Sequence, residues 1–543
     1  MILKKISWEP TLSRIFGVGF IGVLVFLGMF LLGGASLRAE TMSWLATEKL
    51  RLGFIAPSDL IASWELNAGG DAEIGHWHSI VTIGENESVI SRHLSFDGLQ
   101  VERGDWKVTS GCSDAVFAGS ALNGRLAVRQ HLKADAEYRL RLAVKIENTS
   151  SDIIHLPDGI RLMIGPGLGE YPVEGFGIAE KMYSFVEPVV SSDKTIIRVD
   201  MENPTESQIS SLTGVEWYGL HSRYFALLLA PSGSHADNPG HIGFQYPPSD
   251  NLKGLPERYL PMVWVDLGIS RMNPAQFIQR DFLVFSGPKT TSTLSGEPGN
   301  FSGLLFSGLW KWMAALCMGL LWLLKAIHSV IPSWGLAIIV LAVLVRVAMY
   351  PFARRALLSQ KAFADVQKII QPEMRRIKRE YKGGVQSEKI LRLYERHGVN
   401  PLAGLKPLLI VLVQLPIFVA LFHVLGRAFE LMDAPFLWIE TLSSPDRTFH
   451  MGLNLPYFGE YINVLPVLMA ATTLLTIKMA PAPAADKSGG VGQNIFLIIV
   501  AISFFLLFYS FPSGMVLYWT MANVLHLLQQ LIVERRGGAE QGL

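Results

Sequence analysis

One arginine, Arg346, lies inside an apolar run from Trp334 to Phe352 that is long enough to cross a lipid bilayer. A charge within a membrane helix costs about 3 kcal/mol on insertion scales, so such a residue is a candidate for a functional site. Its Cα lies six residues, or roughly 9 Å, before Phe352, and helical side chains lean towards the N-terminus, here the membrane centre. None of the apolar runs contains Asp or Glu, so the arginine has no obvious internal counter-ion. The simpler alternative is an arginine that reaches lipid phosphates, which the direction of the side chain disfavours.

Two amides are expected at a similar depth. Gln414 lies about twelve residues into the run that begins at Leu402, or roughly 18 Å from its cytoplasmic end. Asn523 lies ten residues before Val533, or roughly 15 Å from the same end. Together the amides would solvate the arginine or line a wet cavity, although a hydrogen bond between helices is the simpler role for each alone.

Two aromatic residues, Tyr518 and Trp519, lie near the outer end of the last apolar run. Residues of this kind usually anchor a helix at the membrane surface, and a contact with a substrate is the alternative.

The composition indicates a membrane protein with a soluble part: of 543 residues, 50% are hydrophobic and 17% charged, and the mean hydropathy is +0.32. The net charge of +1 says nothing about nucleic acid. Two cysteines in different regions, Cys112 and Cys317, leave the redox compartment undetermined. The chain lacks a Walker-type glycine loop, Cys/His metal spacing and a nucleophile elbow, so we predict no cofactor, no metal site and no enzyme activity.

Residues 1–39 predict an N-terminal membrane anchor. Lys4, Lys5 and Arg14 precede an apolar run from Ile15 to Leu37, which places the N-terminus in the cytoplasm. The small residues that end the run favour the alternative of a cleaved signal peptide, but its length favours a retained anchor.

Residues 40–300 predict an exported all-β sandwich. Apolar and polar residues alternate between turn residues, and the runs on either side of Lys133-Ala134-Asp135 predict a hairpin. Few helical stretches compete with this pattern. The clearest alternating runs are His78–Ile83, Leu126–Leu132, Tyr138–Ile146, Met262–Ile269 and Phe277–Phe285.

Residues 301–333 predict an amphipathic helix that lies on the membrane surface. Lys311 and Lys325 interrupt the apolar run and leave only about thirteen uncharged residues between them, which is short for a span. A span here would also place the basic loop that follows on the outside.

Residues 334–536 predict a core of five spans, with both termini in the cytoplasm and a short tail at 537–543. The span Trp334–Phe352 is followed by a cytoplasmic helical hairpin at 353–401 that breaks at Lys382-Gly383-Gly384. The other expected spans are about Leu402–Leu425, Leu465–Ala480, Ile495–Phe511 and Met515–Val533.

The hairpin carries twelve basic residues and five acidic ones, a net charge of +7. Orientation of a membrane protein needs only a few of these charges. The remainder would dock on anionic lipids or on ribosomal RNA, and both would be bound through phosphate contacts.

Four segments resemble the YidC/Oxa/Alb membrane protein insertases, and the match is specific across about residues 333–536. They are VRVAMYPF (Val345–Phe352), NPLAGLKPLLIVLVQLPIF (Asn400–Phe418), APFLWI (Ala434–Ile439) and FPSGMVLYW (Phe511–Trp519). The first anchor and the large β domain resemble the Gram-negative type in architecture rather than in motif.

The resemblance implies a five-helix core with a hydrophilic groove, Arg346 at its centre, and an apolar slide along the third and fifth spans. It further implies a bacterial inner-membrane protein that receives nascent membrane proteins at its hairpin, alone or with the Sec translocon and the ribosome, and that functions as a monomer. The chain departs from the family at Ala342, where some relatives have a hydroxyl, and at Trp519, where a tyrosine pair is frequent. Its tail is short beside the long basic tails of some relatives.

Two other classes of protein remain open on the residues alone. A secondary transporter would bind an anionic small molecule at Arg346, but the spans lack the internal repeats expected of one. A structural or sensory anchor would act through its exported β domain, and deletion of that domain would then abolish function.

Overall fold

A computed structural model describes residues 42–46, 49–55, 61–67, 77–79, 94–99, 107–111, 114–168, 183, 185–199, 215–233, 241–246, 260–296, 300–397, 406–455, 457–479 and 490–540. The anchor expected at 1–39 lies outside these residues.

The N-terminal half of the described chain consists mainly of β-strands that pair antiparallel, and one further antiparallel pair, β20 and β21, lies among the C-terminal helices. In chain order the strands are β1 (Met42–Ala46), β2 (Leu50–Ile55), β3 (Ile61–Asn67), β4 (Trp77–Ser79), β5 (Phe96–Asp97), β6 (Lys107–Gly111), β7 (Asp114–Ala121), β8 (Leu126–Ala136), β9 (Arg139–Asn148), β10 (Ile154–His155), β11 (Arg161–Ile164), β12 (Val186–Ser192), β13 (Thr195–Arg198), β14 (Val215–Ser222), β15 (Phe225–Ser232), β16 (Ile242–Gln245), β17 (Met262–Asp266), β18 (Arg271–Met272), β19 (Phe277–Pro288), β20 (Phe449–Leu455) and β21 (Gly459–Ile462).

Two of the sheets form a large β-sandwich. A nine-stranded sheet has the order β13-β12-β14-β15-β19-β9-β8-β7-β6, and a four-stranded sheet has the order β16-β17-β11-β5. In β9 the buried Leu142, Val144 and Ile146 alternate with more exposed residues, as expected for a strand with one face on a core. They share one hydrophobic core with Leu162 and Ile164 of β11, so the two sheets pack face to face. The predicted β-sandwich is confirmed.

The hairpin of β8 and β9 turns later than the sequence predicts. The expected turn at Lys133-Ala134-Asp135 is wrong, because β8 continues to Ala136 and the connection is Glu137-Tyr138. Asp135 lies in a bulge between Ala134 and Ala136, and this bulge absorbs one polar residue without ending the strand.

The C-terminal half consists mainly of helices. They are α1 (Lys311–Val330), α2 (Trp334–Glu380), α3 (Gly384–Arg396), α4 (Lys406–Arg427), α5 (Val464–Met479), α6 (Gly490–Phe508) and α7 (Ser513–Glu540).

The apolar run of Arg346 and the first arm of the basic hairpin form one helix. Helix α2 has 47 residues and passes through Pro351 and Pro372 without ending, so no break separates the run from the hairpin at residue 353. It ends at Glu380, and Gly383 adopts a φ of +67° before α3 begins. The glycine permits this left-handed conformation, and the chain turns back there.

Among the described residues, two segments are long and apolar enough to cross a membrane: α1, and residues 334–352 of α2. Shorter apolar segments occupy 414–427 of α4 and 464–476 of α5. The length of α1 therefore does not exclude a span, and its position on the membrane surface stays a prediction, as do the six-span count and the five-helix core. Helix α7 extends to Glu540, so the expected tail begins as helix.

The helices share a second core, and the described part of the β domain contributes Tyr183 to it. Tyr183 packs with the helical residues Phe422 and Phe511, and its hydroxyl donates to Sδ of Met515 at 3.1 Å. A Cβ on Gly426 would lie 2.5 Å from the Tyr183 ring, so the end of α4 approaches this ring closely because it has a glycine there.

Candidate functional site

A cavity of about 180 Å³ lies between α2, α4 and α7. Arg346 and Gln414 line it together with Tyr518, Trp519 and Asn523. These are the five side chains that the sequence singles out by charge, depth and motif, and the fold brings them to one place. The other lining residues are Ala342, Val345, Met349, Ile417, Phe418, Ala522 and His526.

Helical spacing explains which residues face this cavity. On α2, Val345 and Arg346 follow the lining residue Ala342 by three and four positions, and Met349 follows them by four and three. The same spacing recurs on α7 from residue 518 to 526, and side chains at such intervals share one face of a helix.

The Arg346 guanidinium is partly buried and contacts an imidazole rather than a carboxylate. Its Nη2 donates a hydrogen bond to Nδ1 of His526. Its Nε is buried and has no hydrogen-bond partner. No ion pair within the described residues includes Arg346, so its positive charge is not neutralised by the groups around it.

This contact determines the state of His526. Because Arg346 donates to Nδ1, the imidazole is neutral and carries its proton on Nε2. Nε2 lies 3.3 Å from the side-chain amide of Gln530, one turn further along α7. The side-chain amide of Gln530 is therefore assigned with its oxygen, Oε1, accepting from this proton. This orientation gives Oε1 the hydrogen-bond partner that it otherwise lacks.

The two amides of the cavity differ in their bonding. Asn523 donates through Nδ2 to the hydroxyl of Thr473 on α5 at 2.7 Å, which joins α7 to α5. Gln414 is exposed and makes no hydrogen bond within the described part of the chain. Asn523 therefore acts as a link between helices, whereas Gln414 is free to bind a group that enters the cavity.

Trp519 forms an aromatic wall on one side. Its ring contacts Phe418 at 4.8 Å and Phe508 at 5.4 Å between centroids, and its indole N–H is buried without a partner. Tyr518 lines the cavity beside it, and Ala342 is buried against the cavity from α2. Polar groups therefore come mainly from α7 and from Arg346, while the neighbouring part of α2 is apolar.

The cavity presents hydrogen-bond donors. Its donors include a guanidinium and a free indole N–H, and no serine, cysteine or carboxylate is among the described lining residues. The described residues also hold no group of three side chains with metal-ligand character. A guanidinium and an indole N–H are hydrogen-bond donors suited to anionic or acceptor-rich groups.

Sequence reasoning missed His526, Gln530 and Thr473. His526 follows Asn523 by three residues and precedes Gln530 by four, so the face of α7 that holds Asn523 also holds both of them. This spacing was the available signal for the two α7 residues. Nothing in the sequence pairs Thr473 with Asn523.

The chain is similar to known proteins over both halves. Residues 326–540 match the family described as 60Kd inner membrane protein. The membrane protein insertase YidC of Syntrophobacter fumaroxidans is 30% identical over 426 residues, 76% of this chain and 69% of that protein. The YidC insertase of Francisella philomiragia is 28% identical over 467 residues, 84% of this chain and 74% of that protein. A crystal structure of an active YidC insertase, with its first transmembrane domain resolved, matches 96% of this chain and 99% of that chain at 17% identity, with a TM-score of 0.34. On the extent of the sequence matches, the chain belongs to the YidC/Oxa/Alb family of membrane protein insertases.

Proposed function

We propose that the chain moves nascent membrane proteins into the bacterial inner membrane through a hydrophilic groove centred on Arg346, alone or with the Sec translocon. In this arrangement the β domain lies in the periplasm and the chain termini lie in the cytoplasm. The observation that carries the proposal is the contact of Arg346 with a neutral imidazole, which leaves the cation of the cavity without a carboxylate.

The physical reasoning begins with the cost of moving a polar segment through hydrocarbon. Each unsatisfied backbone group costs several kcal/mol there, and an acidic side chain costs more. A wet cavity within the helices shortens the distance over which these costs apply. Arg346 supplies a positive charge at that depth, and Gln414 supplies a free amide.

Apolar surface beside the cavity would receive the transmembrane part of a substrate. Leu415 of α4 is exposed, as are the apolar residues Ile498, Ile499 and Ile502 along α6. These two helices are the third and fifth spans when the predicted anchor is counted first. A nascent helix would pass along them into lipid while its polar end occupies the groove.

The hairpin of α2 and α3 is the proposed entry point on the cytoplasmic side. Arg375, Arg376, Lys378 and Arg379 are exposed on its first arm. Exposed cations of this density bind phosphate groups, and both ribosomal RNA and anionic lipids present them.

The test is insertion of a single-span protein with an acidic exported tail into vesicles that contain the purified chain. With Arg346→Ala we expect insertion to fall about tenfold, which corresponds to about 1.4 kcal/mol. Arg346→Lys should retain most of the insertion, because the charge is kept. Protease protection of the tail measures the inserted fraction.

The matched control is Arg141→Ala, which removes an exposed arginine of the β domain that pairs with Asp135, away from both the cavity and the hairpin. A substrate whose acidic residues are replaced by amides should insert equally well with wild type and Arg346→Ala. Equal insertion of the acidic substrate by wild type and Arg346→Ala would overturn the proposal.

A further inference from the structure

A second group of cations lies where the β domain meets the helices. Arg223, which follows β14, donates to the carbonyl oxygens of Gly426 at 2.7 Å and Ser443 at 2.9 Å. Its guanidinium also lies 4.7 Å from the centre of the Tyr183 ring. These contacts hold the end of α4 against the ends of β12 and β14, and other charged side chains converge beside them.

We call this group the junction cluster: Arg198, Lys289 and Arg427 with His221 and Glu187. Glu187 and His221 face each other in the register of β12 and β14. Lys289 follows β19, and Arg427 is the last residue of α4. The cluster therefore combines side chains in or next to four strands of the sheet with one from the end of α4.

The single carboxylate of the cluster is already occupied. Glu187 accepts from Nε of Arg198 at 2.7 Å and lies 2.5 Å from its Nη2. Lys289 and Arg427 instead lie over the ring of Phe185, at 5.8 Å and 5.3 Å from its centre. Neither has a carboxylate partner among the described residues.

The imidazole of His221 has a buried nitrogen without a hydrogen-bond partner. Lys289 donates to Nδ1 of His221 at 3.3 Å, so the imidazole carries its own proton on Nε2. That nitrogen is buried without a hydrogen-bond partner, and the nearest oxygen of Glu187 is 3.7 Å away. The His221 side chain is only 3% exposed, so water does not freely satisfy it.

The cations are also close enough to repel one another. Burial lowers the pKa of Lys289 well below its usual value, and the nearby Arg427 and Arg198 lower it further, against a smaller opposing effect of Glu187. The pKa of His221 is lowered by burial and by the same three cations. Such an arrangement has more hydrogen-bond donors and positive charge than its acceptors can satisfy. An anion that only accepts hydrogen bonds would complement it.

We propose that the junction cluster binds the phosphate of a phospholipid headgroup, with Lys289, Arg427 and Nε2–H of His221 as its donors. A phosphate provides acceptor oxygens in several directions and carries the charge that the cluster lacks. Arg427 ends a helix expected to span the membrane, which places the cluster at the level of the headgroups. A lipid would then bridge the β domain and α4 in the assembled protein.

Inorganic phosphate shares this chemistry, so the test has two arms. In the first arm, thermal unfolding of the purified full chain in detergent is followed with inorganic phosphate and with sodium chloride of equal ionic strength. We expect phosphate to raise the unfolding midpoint of wild type by several degrees, because a ligand that binds only the folded state stabilises it. Arg427→Gln and Lys289→Gln should lose most of this shift.

In the second arm, native mass spectrometry counts phosphatidylglycerol retained by the chain. We expect about tenfold less retention by Arg427→Gln than by wild type, and displacement of the retained lipid by inorganic phosphate. The matched control is Lys325→Gln, which changes a nearby lysine that already pairs with Glu430 and should retain the lipid like wild type. Arg346→Ala should also retain it, which separates this site from the proposed groove.

Several outcomes would overturn the proposal. Retention that is equal in wild type, Arg427→Gln and Lys289→Gln would do so, and a shift with inorganic phosphate but no retained lipid would reject the headgroup as its source. Displacement of bound lipid by an acidic peptide, but not by inorganic phosphate, would assign the cluster to a protein segment instead. If Arg427→Gln fails to fold, Arg427→Lys and the phosphate shift of the unmodified chain still decide the question.

Discussion

The cavity around Arg346 and the junction cluster both place cations in partly buried surroundings, but they do so in different ways. In the cavity, one guanidinium donates to a neutral histidine and faces an open space between helices. In the junction cluster, three cations surround one carboxylate that a single arginine already occupies. The cavity suits a ligand that binds transiently, and the junction cluster suits a ligand that remains bound.

The difference also shows what each region needs from the fold. Arg346 lies on one long helix, and His526 contacts it from the face of α7 that also carries Asn523 and Trp519. The junction cluster depends on the sheet and on α4 together, because neither alone brings Lys289 beside Arg427. Changes in the cavity should therefore alter transport, whereas changes in the junction cluster should alter stability and lipid retention.

The largest expected effect comes from reversing the charge of the cavity. Arg346→Glu should change the preference between acidic and basic exported tails by about a hundredfold in favour of basic tails, or about 2.7 kcal/mol. The glutamate would repel the acidic tails that the arginine attracts, and it would attract basic tails at the same depth. Competition between two single-span substrates that differ only in tail charge measures the ratio of their insertion. The same ratio in wild type and Arg346→Glu would show that the charge at residue 346 does not select the substrate.

A smaller effect is expected at the partner of Arg346. His526→Leu removes the acceptor that directs the guanidinium, and insertion of an acidic-tailed substrate should fall between about threefold and tenfold. His526→Asn keeps an acceptor and should recover most of the activity. If the leucine and asparagine variants insert the substrate equally, His526 has only a packing role.

In the junction cluster, the expected effect is a dependence of stability on pH. The pKa of His221 is lowered in the folded chain, so below about pH 6.5 the unfolded chain binds a proton that the folded chain does not. The free energy of unfolding should then fall as the pH falls from 6.5 to 5, by up to about 1.4 kcal/mol per pH unit. Unfolding of wild type and His221→Gln at several pH values measures the difference.

The charges that act on His221 are Lys289, Arg198 and Arg427, with Glu187 facing it across the sheet. Arg346→Ala serves as the control, because it lies outside the cluster and should keep the pH dependence of wild type. The same slope in wild type and His221→Gln would assign the dependence to other groups.

The smallest effect is expected at Asn523, which bonds to Thr473 rather than to Arg346. Asn523→Ala should lower the unfolding midpoint slightly, with a loss of about 0.5–1.5 kcal/mol, and should reduce insertion no more than about twofold. Thr473→Val should have the same effect, since it removes the other half of one hydrogen bond. A tenfold loss of insertion in Asn523→Ala alone would instead place this amide in contact with the substrate.

Parts of the site could be predicted because they depend on position along one helix. Counting residues at about 1.5 Å each predicted a similar depth for Arg346, Gln414 and Asn523, and the structure places all three in the lining of one cavity. The contact between Arg346 and His526 could not be predicted in this way, because it depends on the rotation of α7 about its axis. The junction cluster was equally unpredictable, since Glu187, His221 and Arg427 are far apart in the chain.

The fold shows the same division. Alternation along Tyr138–Ile146 predicts a strand, and the structure confirms it as β9 (Arg139–Asn148). The turn at Lys133-Ala134-Asp135 was wrong, because a bulge at Asp135 depends on the pairing of two strands and not on residue type alone. The order of nine strands in one sheet likewise depends on contacts between distant segments.

Residue types and their spacing were enough to predict a cation without a carboxylate in an apolar helix and a domain of alternating strands before it. They also showed the motifs of an insertase family. These properties depend on residue type and spacing, which are local. The packing of separate elements was needed to show that Arg346 contacts His526, and that Lys289, Arg427 and His221 gather beside a carboxylate that Arg198 already occupies. Both are decided by side chains from separate elements that meet only after the helices and sheets have packed.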